Sequence, residues 1–124
     1  MESLPRYVAL AGHVLVALLF LHESWFKITH LDLTIAYMAH YGLPAFLLPG
    51  ALAVELLGGL ALVTGFGRRY ADYVLAVFCV VTTSIFHTDW ADLNQLQHFE
   101  KDLALAGALL VMAVTDRTGA DRSV

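Results

Sequence analysis

Cysteine is nearly absent. Cys79 stands alone in the chain, so no intramolecular disulfide can form and there is no paired Cys-x-x-Cys to exchange electrons with disulfides. A membrane thiol oxidoreductase of the usual kind is thereby excluded, and Cys79 reads as a small buried hydrophobe. Charge is scarce as well: 15% of residues are charged, against roughly 25% in soluble domains. Seven Lys and Arg face eleven Asp and Glu, giving a net charge of −4, and without a basic stripe to neutralise phosphates nucleic acid is excluded as a partner. There is no internal repeat, low-complexity tract or linker, so residues 1–124 read as a single domain.

What fills the chain instead is apolar: 59% of residues are hydrophobic. Four segments carry this character, at about 7–28, 43–66, 70–87 and 99–115, and each is expected to cross a bilayer. A soluble four-helix bundle would need a polar face on every helix, and runs such as Val14 to Leu21 have none. The first segment exceeds the 7 to 15 residues of a signal-peptide core and contains His13 and Glu23, which argues for a retained helix. The fourth is the shortest, since its 13 apolar residues from Leu103 to Thr115 cover only about 20 Å of a hydrocarbon core near 30 Å. It must therefore draw charged residues such as Lys101 and Asp102 into the span, or thin the membrane locally.

The connections complete the outline. Residues 31–41 are too short and polar to cross but suit an interfacial helix, with Asp32 or Thr34 to cap it. Gly42-Leu43-Pro44 turns the chain inward, and Pro49 is expected to kink the second span. Gly65 to Arg69 form a link so tight that the spans it joins must be antiparallel. Trp90 stands in the loop at 88–98 where an interfacial anchor would sit, and the tail from Asp116 is expected to be polar and mobile. The fold class is all-α: a polytopic membrane protein, an antiparallel four-transmembrane-helix bundle with a short interfacial helix between spans 1 and 2.

Positive charge sets the orientation. Arg6, Arg68, Arg69, Arg117 and Arg122 share one side of a four-span chain, while Lys27 and Lys101 occupy the other. Both termini are expected to be cytoplasmic. The outer side then collects Glu23, Asp32, Asp89, Asp92, Glu100 and Asp102 with His22, His30, His40, His87 and His98. Any chemistry is expected there.

Glu55 is the outstanding residue. It sits near the middle of Leu43 to Phe66, an apolar run of 24 residues with no other charge. A central acid costs roughly 2.5 to 3.5 kcal/mol on insertion scales, and such residues face a bundle interior, a partner or a water-filled path. In the first span, Arg6, His13, Glu23, Ser24 and Lys27 fall within an arc of about 100°. Glu23 and Lys27 are four apart with the acid first, the favourable order for a salt bridge. In the third span, Asp72, Cys79, Thr83 and His87 share an arc of about 80°. Glu23, Lys27, Glu55, His87 and Asp102 are the candidates to line an outer-half polar cavity, in which Glu55, His87 and Asp102 would handle protons. Whether Glu55 is paired with Lys27 is left open. No metal site is expected: His22 and His30 straddle a helix end, and His98-x-Glu100 is too slight a motif. His13 lacks an evident partner at its depth for holding a haem.

Several of these residues, in order and spacing, resemble one family. Ser24-Trp25-Phe26-Lys27, Gly42-Leu43-Pro44, Glu55-Leu56-Leu57-Gly58-Gly59 continuing to Gly65 and Arg68, Phe86-His87 with Trp90, and Lys101-Asp102-Leu103-Ala104 are similar to the DoxX family of small bacterial four-helix membrane proteins. The resemblance covers roughly residues 7 to 115. It departs at Ser24, where many relatives have Gly, and at Asp102, where many have Asn. The resemblance implies a multi-pass protein of the bacterial inner membrane. Some relatives are associated with sulfur-compound oxidation coupled to quinone, and distant ones resemble membrane assembly factors or cargo receptors.

Two readings carry equal weight. In one, the protein is a quinone-linked redox subunit or accessory. It has no intrinsic cofactor; quinone is the implied ligand, and electrons come from a membrane or periplasmic redox protein. In the other, it is a non-enzymatic scaffold, chaperone or receptor whose Glu55 pairs with Lys27 or with a partner helix. Either reading is compatible with a homo-oligomer in the lipid bilayer. A small transporter or proton path is less favoured, since no inverted repeat is present.

Overall fold

The computed structural model describes the backbone of residues 3–123 and the side chains of residues 3–115. Five α-helices form among them: α1 (Ser3–Thr29), α2 (Leu31–His40), α3 (Leu48–Thr64), α4 (Arg68–Phe86) and α5 (Leu93–Ser123), with a 3-10 turn at Ala45–Leu47 before α3. The polar side chains expected in a mobile tail from Asp116 onward lie outside the described side chains.

Among the described residues, three stretches are long and apolar enough to cross a membrane: Ser3–Thr29, Ala45–Thr64 and Arg68–Phe86. The 27 residues of α1 extend about 40 Å, more than the hydrocarbon core requires. The expected fourth span, 99–115, falls within α5, which is not among the three because its long apolar run is confined to 13 residues. The protein is thus an all-α, polytopic membrane protein.

Two expectations about helix ends are corrected. Pro49 does not kink a span, because the helix begins at Leu48 and places the proline in its first turn. There its missing N–H would have no partner within the helix anyway. Neither Asp32 nor Thr34 caps α2; the N-cap is His30, with no side-chain cap bond. Its carbonyl accepts from the backbone N–H of Thr34 at 3.0 Å and from the Thr34 hydroxyl at 2.9 Å. The chain thus passes from α1 into α2 at one residue, whose N–H donates to Phe26 O at 2.9 Å. Along α2, Tyr37 and Tyr41 rings meet at 5.1 Å. Burial, then the hydrogen bond to Tyr41, pushes the Tyr37 phenol up to about 12, so it stays a neutral donor.

The contacts divide the chain after Ala71 into two compact units. In the first, α1 and α3 pack together. Lys27 reaches Glu55, whereas Ala17 and Leu21 lie against Gly59, so rising numbers on one helix meet falling numbers on the other and the pair is antiparallel. The buried residues of α1 are His13, Ala17, Phe20 and Ser24, one face at helical spacing. Those of α3 include Glu55, Gly58, Gly59 and Leu62. Gly59 permits the close approach: a Cβ there would lie 2.9 Å from Leu21 Cδ2 and 3.0 Å from its Cγ. In the second unit, Asp72, Leu75, Ala76, Cys79 and Thr83 are buried on one face of α4, and Ala106, Leu109 and Ala113 on one face of α5.

Gly59→Val is expected to destabilise the protein by about 1 to 3 kcal/mol, the usual range for overpacking. Leu21→Ala combined with it should restore part of the loss. Thermal unfolding in mild detergent measures this, and strictly additive effects would show that Gly59 does not meet Leu21 as described.

Candidate functional site

Glu55 is buried, with its residue 2% exposed, on a helix that carries no other charged residue. It is not alone there. From α1, Lys27 Nζ donates to Glu55 Oε1 at 2.5 Å, and Ser24 Oγ donates to Oε2 at 3.2 Å. Lys27 also lies 3.7 Å from Glu23 Oε2, one turn earlier on its own helix. Both carboxylate oxygens of Glu55 are therefore engaged by a single neighbouring helix.

Local geometry explains why these side chains meet. Residues 20, 24 and 27 project from one side of α1 because three and four positions nearly complete a turn. The one-sided polar stripe read from the sequence is thus the face on which His13 and Ser24 are buried and from which Lys27 reaches α3. Lys27 stands near the end of α1, where a cation also complements the helix dipole. Its long stem lets the ammonium reach inward while the chain remains partly exposed, 21% against 3% for the Glu55 side chain and 53% for Glu23. A graded path of charge runs from the exposed Glu23 through Lys27 to the buried Glu55.

Ser24 has one hydroxyl hydrogen and two acceptors in range, Glu55 Oε2 and the carbonyl of Phe20 at 3.0 Å. It can share or alternate between them. Lys27 similarly lies within reach of two carboxylates. The cluster accordingly leaves neither oxygen of Glu55 without a donor. A ligand seeking the carboxylate would have to displace Lys27 or Ser24, whereas the cluster as it stands holds α1 to α3.

The first unit therefore brings together Glu23, Lys27 and Glu55, three of the candidate residues, and adds Ser24, whose place on the stripe was legible although its bond to Glu55 was not. His87 and Asp102 belong to the second unit. His87 follows the end of α4 and stacks on His98, with ring centroids 5.0 Å apart and an interplanar angle of 20°. Its carbonyl accepts from Trp90 Nε1 at 3.2 Å, and Trp90 in turn packs on Phe99. Asp102 is half-buried, one turn before Ala106 on the buried face of α5. Asp72 is fully buried on α4 and was readable only as one member of that helix's polar arc. Among the described residues, no group of three or more His, Cys, Asp or Glu is arranged to hold a metal ion.

Among the described residues, three stretches long and apolar enough to cross a membrane, two of them joined by an ion pair whose acid is buried, define a polytopic membrane protein. The sequence match makes this specific: the family model for DoxX covers residues 8–88, and the chain belongs to the DoxX family. It is 35% identical over 116 residues to the inner membrane protein YqjF of Escherichia coli, covering 93% of this chain and 88% of that protein. It is 29% identical over 114 residues to the inner membrane protein YphA of the same organism, covering 86% of this chain and 81% of that one. No solved structure matches. The protein is a multi-pass inner-membrane member of this family.

The pair invites a double-mutant cycle. Lys27→Met leaves a buried carboxylate without its cation and is expected to cost about 3 to 5 kcal/mol, as breaking a buried pair does. Lys27→Met with Glu55→Leu removes both charges and should recover most of that loss. Unfolding free energies in detergent read the coupling, and additivity would show that the two side chains do not interact.

Proposed function

We propose that the protein is a non-enzymatic scaffold or docking subunit of the inner membrane, in which Glu55 clamps α1 to α3. One observation carries this reading: both oxygens of Glu55 are taken by Lys27 and Ser24, and the side chain is buried. A carboxylate committed in this way holds helices together, whereas one that serves a substrate needs an approach. In this reading α5 supplies a fourth span through 99–115 and both termini face the cytoplasm, as the positions of Arg6, Arg68 and Arg69 suggest.

The quinone-linked reading stands second. His87 and His98 favour it, two imidazoles in ring contact beyond the end of a span, a group type able to move the protons of a quinone. The engaged oxygens of Glu55 count against direct contact between that residue and a quinone head group. Electrons would come from a membrane or periplasmic redox protein.

Purification in native nanodiscs separates the two. The scaffold reading expects quinone at the same ratio to lipid as in bulk membrane, together with a partner protein in fixed proportion that is lost from Lys27→Met. Quinone enriched above bulk, falling in His87→Ala and with no partner in fixed proportion, would overturn the scaffold reading in favour of the redox one. Orientation is checked by a reporter fused after Val124. Cytoplasmic signal is expected, and periplasmic signal would reverse the assigned topology.

A further inference from the structure

The turn between α3 and α4 is built around one outward-pointing aromatic. Three residues, Gly65 to Gly67, join the helices, and both glycines have positive φ, 86° and 65°, which an L side chain rarely adopts. Gly65 ends α3 in the left-handed conformation, and its N–H donates to Ala61 O at 2.8 Å. Arg68 reaches back and donates from Nε and Nη2 to Leu62 O at 3.0 and 2.8 Å. Phe66 N donates to Thr64 Oγ1 at 3.3 Å. Held from both sides, the turn leaves Phe66 89% exposed, the most exposed of the large hydrophobic residues described.

Arg69 stands beside it with a different disposition. Its Nη2 donates to Tyr70 Oη at 2.9 Å, and its guanidinium lies 4.9 Å from the centre of the Tyr70 ring. This contact orients the guanidinium while leaving most of its N–H donors unused. The nearest acid in sequence, Asp72, is fully buried. The turn therefore presents an apolar ring, an oriented guanidinium and an exposed phenol ring within five residues.

Depth identifies the occupant. One stretch long and apolar enough to cross a membrane ends at Thr64 and the next begins at Arg68, which assigns this turn to the membrane surface. At that depth lies the boundary between acyl chains and phosphates. We propose that the turn is a binding site for an anionic phospholipid, with Arg69 on the headgroup phosphate and Phe66 in the acyl boundary beside it. Arg68 adds positive charge but is committed to Leu62, so Arg69 is the group that makes the contact. A guanidinium suits this role because its planar fork matches phosphate oxygens. The site lies apart from the Glu55 cluster and does not depend on how that cluster functions.

The test uses the full chain in nanodiscs of phosphatidylcholine and phosphatidylglycerol in equal amounts, followed by release into detergent and native mass spectrometry of the lipids retained. Wild-type protein is expected to retain phosphatidylglycerol over phosphatidylcholine in a ratio about fivefold that of the bulk, the factor equivalent to about 1 kcal/mol for one basic residue at an anionic surface. Arg69→Gln should bring the ratio to bulk, with Arg69→Lys intermediate. Retention of the two lipids in bulk proportion by the wild type overturns the proposal without any variant. Enrichment that persists undiminished in Arg69→Gln overturns it as well.

Discussion

A carboxylate in a bilayer must be matched, and that requirement organises the first half of this protein. Water solvates an exposed acid, but hydrocarbon does not, so Glu55 needs donors supplied by the chain. Lys27 and Ser24 supply them from α1, and the bonds work only if α1 and α3 lie close and antiparallel. Gly59 makes the approach feasible about one turn farther along α3, where Leu21 fills the space a side chain would take. Electrostatic need and steric permission thus act on the same pair of helices. In lipid this matters more than apolar burial, because hydrocarbon against hydrocarbon provides little drive for helices to associate.

The same absence of water governs the smaller polar groups. Ser24, Thr29, Thr64, Thr82 and Thr115 each donate a hydroxyl to the carbonyl four residues earlier on their helix. A hydroxyl that turns back on its own helix needs no partner from solvent, and so it can face lipid or a packed interface. Arg68 performs a related service at the end of α3, where the last carbonyls lack helical partners. By bonding Leu62 O it satisfies one of them and stiffens the turn into α4. Positive charge near this turn therefore has a role in backbone chemistry.

Much of this was legible before the structure. Glu55 stood out because a charge interrupted an apolar run, and the stripe of α1 was visible because helical spacing aligns Ser24 with Lys27. Less legible was the choice Lys27 makes. Sequence spacing offers it Glu23, four residues earlier, yet the ammonium lies 2.5 Å from Glu55 and 3.7 Å from Glu23. An exposed pair gains little and is screened, while the buried acid has much to lose without a cation. Pro49 misled for another reason: its effect depends on where the helix starts, and a start at Leu48 makes the proline harmless. The contact of His87 with His98 could not be read at all, since it joins residues on either side of a loop whose path no periodicity specifies.

Family membership places the chain among inner-membrane proteins but leaves the role of the cluster to be argued from its atoms. Ser24 is informative here, because its hydroxyl is the second donor to the acid. With glycine, Oε2 of the acid would lose this donor and Lys27 would be its remaining partner from α1. The hydroxyl thus converts a one-point contact into a two-point one, limiting the rotation of the carboxylate about its own bond. Such restriction suits a clamp, which gains from being fixed, more than a proton carrier, which must turn between donor and acceptor. In this chain the added hydroxyl and the buried position of Glu55 therefore favour the same reading, that the acid's main work is to hold two helices in register.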